Sequence, residues 1–128
     1  MGLDIHLEAD ERLSIAAVST TLSELGALDT NSDDTTAKGL FDSGLSVSAA
    51  CEFDDHTLYA EDAKGMSFPV AIRCHLRIKG PEPEGLSALG DLERFVKHIA
   101  TKTDAHFVVS FQYESALYWK NNDGLHAA

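Results

Sequence analysis

Leu3, Ile5 and Leu7 alternate with Asp4, His6 and Glu8, a period of two that marks a strand buried on one face. Ile15, Val18, Leu22 and Leu25 then recur at spacings of three and four, the stripe of an amphipathic helix. Asp10 is its expected cap and Gly26 its expected stop. Residues 29–39, DTNSDDTTAKG, carry no apolar period and read as an exposed loop. Two more alternating stretches follow: Leu45, Val47, Ala49, Cys51 and Phe53, then Val70, Ile72, Cys74, Leu76 and Ile78. They read as an antiparallel pair with two open registers. One sets Cys51 opposite Cys74 and Glu52 opposite Arg73, across a connection longer than most hairpin loops. The other turns at Lys64-Gly65 and puts Asp55 on the apolar face unless a bulge intervenes. Both match odd positions of the first strand with even positions of the second, so the faces are better defined than the register.

Pro81 and Pro83 close this region. Leu89, Leu92, Phe95, Val96 and Ile99 predict a second helix over 86–103. A strand over 106–113, a turn at Glu114-Ser115 and a last strand over 116–120 follow. The Asn121-Asn122-Asp123-Gly124 run is turn chemistry, expected to end the ordered structure. These elements predict a single α+β domain over 1–128, with two helices packed on one face of a mostly antiparallel sheet. The chain order is βαββαβ, as in ferredoxin-like folds, plus a C-terminal strand. Right-handed crossovers give the strand order 4-1-3-2, with the fifth strand beside the fourth. A fold of this kind carries no function by itself.

The face turned away from the helices is expected to hold Asp4, His6, Glu8, Glu52, Arg73, His75, Arg77, His106, Ser110 and Gln112. His6, His75 and His106 fall on neighbouring strands. With Asp4 and Glu8 beside them they are candidate ligands for zinc or another transition metal. The plainer reading is a solvated sheet face. A third reading, ranked above the metal, is a face covered by a partner or by a second copy, as in a homodimer.

The chain has 128 residues, 44% hydrophobic and 24% charged, the size and composition of one globular domain rather than a disordered segment. Its net charge of −11 is uneven: residues 1–62 hold fourteen acids and two bases, for −12, and residues 63–128 hold seven acids and eight bases, for +1. An acidic half repels nucleic acid and anionic lipid and speeds encounter with a basic protein; it also serves solubility alone. No apolar run reaches the ~20 residues of a membrane span. The acidic start lacks signal-peptide character, and His6 stands where a myristoylation signal needs Ser or Thr. A cytoplasmic protein is expected. Cys51 and Cys74 match no zinc or redox spacing and read as buried free thiols.

Phosphate-binding glycine fingerprints, the nucleophile elbow and the zinc-protease helix motif are all missing from the sequence. Cys51 or Cys74 with His56 or His75 would make a nucleophile and base, but both thiols fall on the predicted core side, and Cys74 and His75 point to opposite faces. Asp33-Asp34 and Asp54-Asp55 lack the spacing of a calcium loop. Arg73, Arg77 and Lys79 with Phe107 and Tyr113 lack the motif of an RNA-stacking sheet. No catalytic residue and no cofactor is expected. In size, charge and lack of catalytic motif the chain is similar in type to small acidic bacterial immunity proteins and antitoxins. The expected function is non-enzymatic binding of a basic protein, with Asp33, Asp34, Asp54, Asp55, Glu61 and Asp62 as candidate contacts. The alternative is a small-molecule or transition-metal module, or an enzyme, that uses the open sheet face.

Overall fold

In the computed structural model, which describes residues 2–79 and 82–128, the opening alternation becomes strand β1 (Gly2–Ala9). Met1, Gly80 and Pro81 lie outside the described residues. Helix α1 (Ile15–Glu24) follows, then β2 (Leu28–Ser32), β3 (Thr36–Leu40), β4 (Leu45–Ala50) and β5 (Ile72–Lys79). Helix α2 (Ala88–Lys102), β6 (Phe107–Phe111), β7 (Ser115–Asn121) and β8 (Gly124–Ala127) complete the chain. The described strands form one antiparallel sheet in the order β2-β3-β4-β5-β1-β6-β7-β8.

Ile5 and Leu7 of β1, Leu45 and Val47 of β4 and Leu76 of β5 are buried with Val18 and Leu22 of α1 and Leu92, Phe95, Val96 and Ile99 of α2. Both helices therefore cover the same sheet face, as the odd-even pattern requires. Each of these large side chains contributes about 1.5–3 kcal/mol by leaving water. Ser14, not Asp10, caps α1, its Oγ accepting the Ala17 N–H at 3.1 Å. Asp10 instead accepts the Arg12 and His106 N–H groups at 3.0 and 3.2 Å. It thereby ties the end of β1 to the start of β6. Lys120 of β7 donates from Nζ to the Ala100 carbonyl at 2.6 Å and also to that of Thr103. It thus caps the C-terminal end of α2 with a cation.

The sheet is larger than expected, and the chain order is βαββββαβββ rather than βαββαβ plus a strand. The stretch β7-β6-β1-β5-β4 follows the expected neighbour order; the additions lie at its edges. The segment read as a loop over 29–39 is the β2–β3 hairpin. β2 is exposed at every position, so it has no buried face to print a period on the sequence. Its turn is built by Asp33, whose Oδ1 accepts the N–H groups of Thr35 and Thr36, each at 2.8 Å. β3 buries only Ala37 and Gly39. A Cβ at Gly39 would stand 3.2 Å from both Leu22 Cδ1 and Ala27 Cβ, so glycine lets α1 approach. At the other edge, the Asn122-Asp123 turn leads into β8 instead of ending the structure.

Neither expected register of β4 on β5 is adopted. Ala49 lies opposite Cys74 and Leu45 opposite Ile78, two residues from the first alternative, with the odd-to-even matching of faces kept. The Lys64-Gly65 turn does form, the Ala63 carbonyl accepting the Met66 N–H at 3.0 Å, but β4 ends at Ala50 and the chain leaves the sheet. Cys51 falls beyond that end and is half-buried, whereas Cys74 is buried. Burial pushes the Cys74 thiol up to about 12, so it stays protonated and inert. A thiol reagent at pH 8 is expected to label one cysteine in the native protein and two after denaturation, with Cys51→Ser abolishing the native label. Two labels on the folded protein would contradict this packing.

Candidate functional site

The polar face of the sheet is only partly open, because the chain between β4 and β5 crosses it as a strap. Glu8 is fully buried beneath the strap. Its Oε2 accepts the Tyr59 N–H at 2.7 Å and its Oε1 the Ala60 N–H at 3.0 Å. Arg73 donates to the carbonyls of Asp55 and Thr57, and its Nε stands 3.6 Å from Glu8. Its guanidinium lies over the rings of Tyr59 and Phe53, at 4.2 and 4.5 Å from their centroids. Beyond it, Ala60, Val108 and Ala116 form a second apolar cluster with Met66 and Trp119, and the Lys64 ammonium lies 4.7 Å from the Trp119 ring centroid. The expectation that Glu8 and Ser110 lie on an open surface is corrected: both are fully buried. Glu52 falls outside β4 and does not face Arg73, whose partner in the ladder is Ala50.

At the strap's margin the sheet carries a stack of rings. His75 and His6, opposite each other on β5 and β1, stack with centroids 5.0 Å apart. Tyr113 stacks on the other side of His6 at 3.9 Å and meets Tyr59 edge-on at 5.5 Å. Tyr113 reaches this place through a two-residue turn in which Gln112 and Tyr113 have φ of 51° and 63°. That region favours Gly or Asn and is costly for a bulky side chain. The Phe111 carbonyl closes the turn by accepting the Glu114 N–H at 2.9 Å. The Asp4 carbonyl accepts the Gln112 N–H at 3.0 Å, and the Tyr113 carbonyl accepts the Glu61 N–H at 2.7 Å. Asp4 takes a hydrogen bond from His75 Nε2 at 2.8 Å and lies 3.8 Å from Arg77 Nε. The His75 hydrogen bond holds the Asp4 carboxyl below its ordinary range. Partial burial, and then the neighbouring His75, push His6 below the ordinary histidine value, with Asp4 opposing them.

Asp4, His6, His75 and Arg77 are thus brought together as expected, but His106 is not. Its carbonyl accepts the Asp10 N–H at 3.0 Å, while Ser110 faces His6. Four strand residues, roughly 13 Å, separate His106 from that position. The three-histidine ligand set is therefore corrected; among the described residues no group of three His, Cys, Asp or Glu is placed to hold a metal ion.

The six acids expected to meet a partner divide into two kinds. Asp33, Asp55 and Asp62 are turn-builders, each accepting the N–H two residues ahead, from Thr35, Thr57 and Lys64. Asp55 also accepts the Tyr59 hydroxyl at 2.7 Å. Hydrogen bonds from Thr57 and Tyr59 draw its carboxyl down to about 2. Asp34, Asp54 and Glu61 are exposed, and among the described residues their carboxylates have no ion-pair partner. Asp33 and Asp34 also line a cleft of about 610 Å³ beside the start of α1. Cys51 separates it from a second cleft of about 520 Å³ lined by Asp10, Glu11, Arg12 and His56. Sequence reasoning missed the places of Tyr59 and Tyr113, because neither a left-handed Gln-Tyr turn nor an irregular strap leaves a period in the sequence.

No protein-family model, no curated protein and no solved structure matches the chain. No helix among the described residues is long and apolar enough to cross a membrane.

Glu8→Ala is expected to strand two strap N–H groups and leave Arg73 without its carboxylate, lowering stability by about 2–4 kcal/mol. Hydrogen exchange should accelerate at Tyr59 and Ala60 more than in β3; uniform acceleration would show that Glu8 does not hold the strap. For His6, a folded pKa below the unfolded value means that the unfolded chain binds the proton first as pH falls. Its contribution is complete above about pH 6.5 and is lost as pH falls below that. Denaturant titrations at pH 7.5 and 5.5 should therefore show a smaller pH loss for His6→Phe than for wild type.

Proposed function

We propose that this chain is a non-enzymatic binding module of the immunity or antitoxin type, acting in the cytoplasm, that neutralises a basic toxin domain. The inner strands and the two helices serve it as a ferredoxin-like core. The observation that carries this reading is the placement of unpaired acids. Asp34, Asp54 and Glu61 stand exposed on the turn and strap segments, and among the described residues none of them forms an ion pair, in the half of the chain with net charge −12. Asp33, Asp55 and Asp62 act differently: by closing local turns they shape the segments that present the other three. A cationic partner meeting the free acids gains Coulomb attraction without first breaking an internal ion pair, which favours rapid encounter.

The test begins with the product of the adjacent reading frame, expressed with and without this protein. Rescue of growth and a stable complex are expected. Asp34→Lys with Asp54→Lys should slow association at least about tenfold at low salt, and the difference should shrink towards 0.5 M salt. The choice of Asp54 without Asp55 matters, since replacing Asp55 also removes the turn. Equal association rates at low salt would count against the acidic surface as the contact.

A further inference from the structure

The strap divides the polar face into two unequal levels. Over β1, β6 and β7 it adds a layer that buries Glu8, Val108 and Ser110. Over β3, β4 and the far end of β5 no described segment lies on the sheet. There the register aligns Lys38 with Ser48 and His75, and Leu40 with Ser46 and Arg77. Short serines floor a trough, and longer side chains stand on either side. Lys38, Leu40, Arg77 and Lys79 are exposed, and Lys38, Leu40, Ser46, Ser48 and Lys79 line one depression of about 480 Å³.

The two levels carry opposite charge. Strap residues 52–71 hold five acids and one base. The trough holds Lys38, Arg77 and Lys79, with His75 at its border. The acids facing it are Asp29 on its rim and Asp4, which is engaged by His75 and Arg77. Among the described residues neither Lys38 nor Lys79 forms an ion pair. A raised acidic half beside a recessed basic half is self-complementary under a two-fold axis. Turning a second copy face to face brings each strap over the other copy's trough. A closed two-fold contact uses the same patch on both subunits, and this face meets that condition in both height and charge.

We propose that the bare trough of β3–β5 is the seat of a second copy of this chain, and that each protomer inserts the acidic strap carrying Asp54 and Glu61 into the trough carrying Lys38 and Lys79 of the other. The exposed Leu40, 41% accessible, supplies the apolar contact in the trough. Asp54 and Glu61 of the strap also serve the toxin-binding reading, whereas Lys38 and Lys79 belong to self-association alone, so Lys38→Glu with Lys79→Glu tests the dimer without touching the toxin contacts.

Sedimentation equilibrium of the full chain tests it. Wild type at about 10–100 μM in 50 mM NaCl is expected to be a dimer, weakened about tenfold at 0.5 M NaCl. Lys38→Glu with Lys79→Glu makes both levels acidic, and Asp54→Lys with Glu61→Lys makes both basic. Each variant should weaken self-association at least about 100-fold, since like charges then meet across the contact. An equimolar mixture of the two should restore a dimer containing one chain of each. The four positions are exposed, and circular dichroism checks folding. Should either charge reversal fail to fold, Lys38→Gln with Lys79→Gln is expected to weaken the dimer about tenfold. A wild type monomeric across this range overturns the proposal, as do charge-reversed variants that stay dimeric or a mixture that stays monomeric. A monomer that binds inorganic phosphate at Lys38 and Lys79 would assign the trough to a small anion instead.

Discussion

A single carboxylate, that of Glu8, organises the polar half of this molecule. It is fully buried, and what makes that tolerable is that each of its oxygens receives a backbone N–H from the strap with Arg73 close by. A buried polar group is stable only when its hydrogen bonds are met. The same bonds answer the reciprocal need of the strap, whose backbone lacks a ladder partner at Tyr59 and Ala60. Satisfying both at once holds an irregular segment against a sheet without a large apolar seam. The small cluster around Trp119 and Met66 then secures the strap's far end.

The sequence made the helix-facing side legible because burial there is one-sided and regular. Alternation in β1, β4 and β5 and the stripes of α1 and α2 are records of that burial. What escaped notice has the opposite character. β2 buries nothing, so its strand geometry rests on edge pairing with β3 rather than on its own side chains. Glu8 shares the acidic character and the strand parity of Asp4 four residues earlier, yet one is sealed and the other wet. The difference comes from residues about fifty positions away, which a local period cannot encode. The register of β4 on β5 was missed for a related reason. Parity follows from which face is greasy, but sliding by two preserves parity and changes only long-range fit.

The candidate site was legible in the same partial way. His6 and His75 share a face because strand pairing and parity both require it. His106 shares the parity but not the depth, because depth depends on where β6 begins relative to β1, and Asp10 sets that by bonding the His106 N–H. The acids divide according to position as well. An aspartate that opens a turn spends its oxygens on the N–H groups just ahead of it, so Asp33, Asp55 and Asp62 are partly committed to shape. Counting carboxylates in the sequence cannot separate these from Asp34, Asp54 and Glu61; only the local backbone does.

The position of β1 between β5 and β6 has a consequence for how the domain comes into being. The first strand of the sheet has its two edges filled by the fifth and the sixth: Ile5 pairs with Leu76 and with Phe111. During synthesis β1 can pair on one edge only after β5 (Ile72–Lys79) has left the ribosome, and on the other only after β6 (Phe107–Phe111). Closure of the sheet is then a late and largely all-or-none event with a high entropic barrier.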